Sequence, residues 1–507
     1  MAEKILTAAI SGLSAEIVCV EADSGGGEFG QIAIVGLPDI AISEARERVK
    51  SALKNCGFAY PKRRLTVNLA PAHLKKRGSG YDLPIALCIL SLNNHFHFNF
   101  NQALFCGELS LDGEIRPIRG VLPLILAAKQ AGLTAAFVPA ANAAEAALVP
   151  NINIYPLNSL RQALSFLQKK EVLAPFIHRS SGQKSSINNP WSEIKGQAQA
   201  KRALIIAAAG GHNLIMTGPP GSGKSLLASS LAFLLPDLEP AKQLEMAQIY
   251  SIAGEFSRIA RCLQRPPFRA PHHNAYLVAI LGGGRGPKPG EITLAHHGAL
   301  FLDELPEFSR TILDSLRQPL EQRQILISRA EQHIFYPADF LLIAAMNPCP
   351  CGYFGDQKQN CSCSAAQIQH YQQKISGPIW DRFDLQLNVP RLLPSELASF
   401  NENVTEPPLK IITLAYQRQL ARQGIKNAAV AHKYLTKWQK DNQAAETLAL
   451  EAAGALNLSA RAYHRLFRVA RTIADLENNE AILPQYITEA LSYRLNDRMD
   501  GKNSPSA

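Results

Sequence analysis

The stretch 214–228, LIMTGPPGSGKSLLA, decides how the rest of the chain is read. Leu214, Ile215 and Met216 form an apolar run suited to a buried strand, and a glycine-rich turn leads from it into the helix-favouring Leu226-Leu227-Ala228. Gly218, Gly221 and Gly223 let the backbone bend so that successive N–H groups face one anion at the positive end of a helix, with Pro219, Pro220 and Ser222 completing the loop. Glycine–proline turns also occur in ordinary loops, but the full G-x-x-x-x-G-K-S pattern between a strand and a helix is specific. It predicts a phosphate-binding loop in which Lys224 reaches the β- and γ-phosphates of ATP and the Ser225 hydroxyl holds Mg²⁺.

With 507 residues, 47% hydrophobic and 19% charged, the chain exceeds what one core organises, so two to four domains are expected. The opening MAEKILTAAISGLSAEIVCV carries an early acid and no apolar core of signal-peptide length, and no run approaches the roughly 18 apolar residues of a membrane span. A cytoplasmic protein with no membrane partner is expected. Nine cysteines in a chain of this length do not make a disulfide scaffold. A net charge of +10 and a pI near 9.1 suit a nucleic-acid partner, although Lys and Arg are scattered. Short clusters such as Lys62-Arg63-Arg64 and Lys75-Lys76-Arg77 read as solvated faces.

Four segments follow from pattern. Residues 1–170 alternate strand-like pieces (QIAIVGL, RLTVNLA, ALFCGELSL, AAFVP) with helical ones (ISEARERVKSALKNCG, VLPLILAAKQAG), as in a mixed α/β domain. Residues 171–190 are a linker, including the polar HRSSGQKSSINNP at 178–190. Residues 191–390 hold the nucleotide-binding block. Residues 391–507 are helical, and in SARAYHRLFRVARTIADLE the residues Tyr463, Leu466, Phe467, Ala470 and Ile473 share one face.

A phosphate loop needs an acidic partner, and GALFLDEL at 298–305 ends an apolar strand on Asp303, an anchor for Mg²⁺, and Glu304, a base for the attacking water. A third apolar strand, FLLIAAMNP at 340–348, ends on Asn347, whose amide can bond the γ-phosphate and the lytic water. This order resembles the AAA+ ATPases. The resemblance implies an α/β fold in which a parallel phosphate-loop sheet carries a helical C-terminal lid, and it gives Asn347 the sensor 1 role. It also places Ile194, Gly196 and Gln197 of SEIKGQAQAKRAL near the adenine, Arg382 of SGPIWDRFDL as an arginine finger acting on a neighbouring subunit, and Arg461 of LSARAYHRL as sensor 2. Each arginine also reads as a surface salt-bridge partner. A finger acting in trans implies a ring, and the family implies a homo-hexamer.

The motifs PFRAPHH, PGEITLAHHGALFLDELPEF, MNPCPCG and SGPIWDRFDL closely match the Mg-chelatase-like subfamily of AAA+ proteins known as YifB or ComM, along nearly the whole chain. Both the basic interval PFRAPHHNAYLVAILGGGRGPKPGEITLAHHG and the hairpin-like QILISRAEQHIFYP read as insertions. In that clade two such hairpins line a central pore and touch DNA, which makes Arg269, His272, His273 and Arg285 on the first, and Arg323 and Arg329 on the second, candidates for phosphate contact. Adjacent histidines project to different faces, so a metal at His272-His273 is the poorer reading.

Cys349, Cys351, Cys361 and Cys363 form two C-x-C pairs immediately after Asn347, and thiolates so placed can fold into a tetrahedron for structural Zn²⁺, with no open position for catalysis. Cys19, Cys56, Cys88, Cys106 and Cys262 read as ordinary thiols.

FCGELSLDGEIRPIRGVLPLILAAKQAG in the N-terminal region resembles the proteolytic domain of Lon-type proteases, an α+β fold that cleaves peptides with a Ser–Lys dyad. Alignment puts the nucleophile position on Gly80 of KRGSGYDLPIAL and the lysine position on Leu122, and neither residue can do that chemistry. Ser79 and Lys129 are the nearest substitutes. A non-proteolytic scaffold is expected. Three functions stay open: a motor on single-stranded or branched DNA, which the family resemblance ties to branch migration in natural transformation, with recombinase or DNA-uptake proteins as partners; a chelatase motor subunit remodelling a partner; and an ATP-dependent protease.

Overall fold

Successive residues of a strand point to opposite faces, and in the second half of the chain this alternation builds two cores at once. Leu214, Met216, Phe301, Ile343 and Ala345 enter one buried cluster, while their neighbours Ile215, Leu300, Leu302, Leu342 and Ala344 enter another. Such strands are apolar throughout, as a parallel sheet covered on both faces requires. In the computed structural model, which describes residues 4–25, 32–58, 63–92, 102–177, 189–284, 288–329, 332–356, 358–392 and 406–494, they form a five-stranded sheet. Its order is Phe268–Arg269, Ala299–Leu302, Leu341–Met346, Leu214–Thr217, Leu385–Asn388, and every pairing is parallel.

The helices Ala198–Gly210 and Lys224–Leu234 contribute to the first of these clusters, as do helices Leu409–Gln423, His432–Asp441, Gln443–Ala455, Ala460–Leu476 and Pro484–Ser492. The Ala460–Leu476 helix buries Leu466, Phe467, Ala470 and Ile473 as its apolar period predicts, with Tyr463 partly buried. It also buries Arg465, Arg471, Thr472 and Asp475. Asp475 offsets this by accepting from Arg422, Asn427 and Arg471 at 2.8–3.0 Å.

The chain divides into two compact units, Met1–Gln183 with Gln243–Cys262 and Ala330–Ile334, and Lys184–Lys242 with Leu263–Arg329 and Phe335–Ala507. The first unit is built on a seven-stranded mixed sheet ordered Ile32–Val35, Arg64–Ala70, Ser14–Gly25, Lys4–Ser11, Ala103–Phe105, Ala135–Pro139, Asn153–Leu157. Lys4–Ser11 and Ser14–Gly25 form an antiparallel hairpin closed at Ser11↔Ser14, with Gly12 left-handed at φ 63° in the turn. Nearly all of the Asp82–Leu92 helix is buried, which explains why it is apolar all round: both strands of that hairpin and the Ile40–Asn55 helix pack on it. The linker residues 178–188 lie outside the described residues.

Candidate nucleotide site and cysteine cluster

Parallel pairing delivers three strand ends to one edge of the five-stranded sheet, and with them Gly218, Asp303 and Asn347. At Gly218 a Cβ would lie 2.2 Å from the Val389 carbonyl, so only glycine fits between the two strands. Gly221 and Gly223 are left-handed at φ 76° and 87°, a conformation that favours glycine. The helix Lys224–Leu234 then starts without a side-chain cap, leaving its first-turn N–H groups for an anion.

Lys224 bridges the elements. Its Nζ donates to the carbonyls of Gly218 and Pro219 at 2.8 and 3.0 Å and to Asn347 Oδ1 at 3.2 Å. Burial lowers its ammonium below the usual lysine range, against the opposing pull of Asp303 and Glu304. Ser225 Oγ donates to Asp303 Oδ2 at 3.0 Å, and Asp303 Oδ1 accepts the Glu304 N–H at 2.9 Å. Glu304 is held left-handed at φ 52°, an uncommon state for a residue with a side chain, and its carboxylate lies 3.2 Å from His273 Nδ1. Ser222 Oγ is buried with no hydrogen-bond partner among the described residues. An orphaned hydroxyl, an uncapped helix start and a lysine set beside a Ser–Asp pair fit a magnesium-bound triphosphate.

Ile194 is buried in the core beside the phosphate-loop helix. Gly196 and Gln197 are both left-handed, and Gln197 Nε2 donates to the Pro390 carbonyl at 2.9 Å. Arg382 pairs with Glu321 of its own chain, is 15% exposed, and has its Nε buried with no hydrogen-bond partner among the described residues. Arg461 lies exposed in the first turn of Ala460–Leu476.

Sequence reading missed what surrounds Arg382. Asp384, two residues on, lies 3.3 Å from both His212 Nδ1 and Arg465 Nε, and His212 Nε2 is 2.8 Å from Thr472 Oγ1. Burial alone would raise the Asp384 carboxyl, but His212, Arg465 and Arg494 outweigh it and hold the group below the usual carboxylate range. This chain of bonds joins the sheet to the Ala460–Leu476 helix. Only the DRFDL motif hinted at it.

The candidate DNA contacts divide. Arg269 is bound bidentately to Glu291 at 2.6 and 2.7 Å, and His273 faces Glu304, so a phosphate at either would displace a carboxylate. His272 is exposed. Arg323, exposed, sits 3.5 Å from Asp339 at the start of the hairpin formed by Gln324–Arg329 and Gln332–Pro337. Arg329 ends the first strand of that hairpin, and Arg285 lies outside the described residues. Tyr276, Val278 and Phe335 are large apolar or aromatic side chains exposed near these positions.

The four clustered cysteines converge. Cys349 Sγ lies 3.3 Å from Cys351 Sγ and 3.6 Å from Cys361 Sγ, and the latter two are 3.5 Å apart. Cys363 Sγ completes the group within 4.8 Å of the others and accepts the Cys351 N–H. Sulfurs around a tetrahedral zinc stand about 3.8 Å apart, from a Zn–S bond of about 2.3 Å, so the set could hold a metal ion. The Cys351 thiol is drawn down to about 5, chiefly by a hydrogen bond from the main chain of Tyr353.

In the first unit Gly80 packs against Ile118, and Leu122 is fully buried with its N–H on Ser251 Oγ. Ser79 Oγ is bonded to Glu108, and Lys129 is exposed at the end of the Val121–Gln130 helix. No helix among the described residues is long and apolar enough to cross a membrane.

Family models match three parts of the chain: "Subunit ChlI of Mg-chelatase" over residues 20–142, "Magnesium chelatase, subunit ChlI" over 190–397, and the ChlI C-terminal model over 406–494. The chain is 43% identical to competence protein ComM of Haemophilus influenzae over 97% of both chains, and 40% identical to YifB of Salmonella typhimurium, again over 97% of both. Lon protease 2 of Bacillus subtilis is 29% identical over 32% of this chain and 33% of its own.

Proposed function

The chain belongs to the YifB/ComM family of Mg-chelatase-like AAA+ proteins, and on that premise we propose that it is an ATP-hydrolysing DNA motor that drives branch migration of recombining strands during natural transformation. The observation that carries the proposal is the convergence of Lys224, Ser225, Asp303, Glu304 and Asn347 at one sheet edge. Lys224 neutralises phosphate charge, Ser225 and Asp303 hold Mg²⁺, Glu304 takes the proton of the attacking water, and Asn347 orients that water against the γ-phosphate. Magnesium held there would supply charge neutralisation to the phosphates. Arg382, released from Glu321, serves the neighbouring subunit's nucleotide in a cytoplasmic homo-hexamer, and Arg461 reaches the nucleotide from the lid. Arg323 and Arg329 on one hairpin, with Arg269, His272, His273 and Arg285 on the other insertion, grip the DNA backbone. The four cysteines carry a structural Zn²⁺.

A chelatase motor is the second reading, favoured by the name of the matching family models. Gly80 and Leu122 count against proteolysis. One comparison separates the three: ATPase rate with forked or single-stranded DNA, with a chelatase partner and porphyrin, and with unfolded casein. Stimulation by DNA alone is expected. Stimulation by casein with peptide release, or by porphyrin and partner alone, overturns the DNA motor.

A further inference from the structure

The cysteine cluster lies against the nucleotide site. Gly352, which follows the first cysteine pair, is left-handed at φ 88°, and a Cβ there would stand 2.7 Å from Pro220 Cδ in the phosphate loop and 3.8 Å from Asn347 Cγ. Its N–H is bonded to the Cys349 carbonyl at 3.0 Å, so the turn that touches Pro220 is the turn that sets the first pair of thiols. From the other side, helix Ala365–Gln373 begins directly after Cys363 with a complete capping box on Ser364 and Gln367. Its Tyr371 is buried, and Gln372 Nε2 donates to the carbonyl of Pro348, the residue after Asn347, at 3.1 Å. Asn347 is therefore held by structure at both ends of the cluster while its own amide meets Lys224.

We propose that the Cys349/Cys351/Cys361/Cys363 cluster is a positioning device for nucleotide handling, acting through Gly352 on the phosphate loop and through Gln372 on the Asn347-Pro348 segment. The proposal rests on the reading of the cluster as a zinc site. No cysteine touches the nucleotide. The metal ties the two C-x-C pairs together and thereby fixes the turn and the helix start that flank Asn347. Without the metal, the Gly352 turn loses the restraint that seats it against Pro220, and loop and sensor drift apart. Gly352 and Gln372 act on different steps. The Gly352 turn shapes the loop that receives any nucleotide, whereas Gln372 steadies the segment that carries a sensor, which matters only when a γ-phosphate is present.

The full-length protein tests this through three readouts: zinc per subunit, affinity for a fluorescent ADP analogue, and kcat and KM for ATP. Gly352→Ala should keep its zinc and bind ADP on the order of ten-fold more weakly. Gln372→Leu should keep both zinc and ADP affinity and lose only kcat. Protein stripped with a zinc chelator and returned to magnesium buffer should lose ADP affinity and regain it when zinc is restored. Zinc removal with ADP affinity and kcat unchanged overturns the coupling while leaving the zinc site standing, as does Gly352→Ala with parental ADP affinity. Freshly purified reduced parent that holds no zinc overturns the metal assignment itself.

Discussion

Lys224 is the residue on which the site turns, because one ammonium meets the loop carbonyls and the Asn347 amide. Desolvation brings its titration below that of an exposed lysine, while Asp303 and Glu304 oppose that shift. The sign follows: as pH rises toward the ordinary lysine value of about 10.4, Lys224 loses its charge early, and ADP affinity should weaken before surface lysines titrate. Removing an opposing charge should move that loss to lower pH, so a titration of ADP affinity in Asp303→Asn checks both the direction and its cause. Lys224→Ala should abolish nucleotide binding in the same assay. These residues were legible because each belongs to a short contiguous motif at the end of an apolar strand. Their partners were not: Glu291 beside Arg269, Glu321 beside Arg382 and His212 beside Asp384 come from remote segments, and only folding decides which carboxylate meets which cation.

Among the elements, strands in the parallel sheet announced themselves as apolar runs between a glycine loop and an acidic pair. The Lys4–Ser11 and Ser14–Gly25 hairpin did not, although Gly12 in its turn was a usable signal, because its small residues Ala8, Ala9 and Ser11 blur the alternation. The Ala460–Leu476 helix was read from its apolar stripe, but periodicity carries no information about the buried Arg465, Arg471 and Asp475, whose partners lie on other elements or a turn away. Asp475→Ala would strand Arg471, 4% exposed, beside Arg422 and should destabilise the protein by about 3 kcal/mol in chemical unfolding. On the hairpin Gln324–Arg329/Gln332–Pro337, a phosphate-gripping Arg323 makes a different forecast. Arg323→Ala should weaken binding to single-stranded DNA of any sequence and lower the slope of log affinity against log salt by about one.

At the scale of the whole molecule, a finger acting in trans requires that one subunit complete its neighbour's site. Arg382 is mostly buried on Glu321 within its own chain, so the proposed trans role would exchange an internal carboxylate for the partner's nucleotide. Arg382→Ala and Glu304→Gln proteins should each be inactive alone, and mixing them should restore part of the DNA-stimulated ATPase, since a site with Glu304 can then meet a neighbour with Arg382. Additive inactivity would place Arg382 within its own subunit's structure. The measurement that bears most directly on the central claim is branch migration of a three-strand DNA junction by the parent and by Glu304→Gln, with DNA binding followed in parallel. The parent should resolve the junction only with ATP, and the variant should bind it without resolving it. Equal resolution by both proteins would contradict a motor driven by this site.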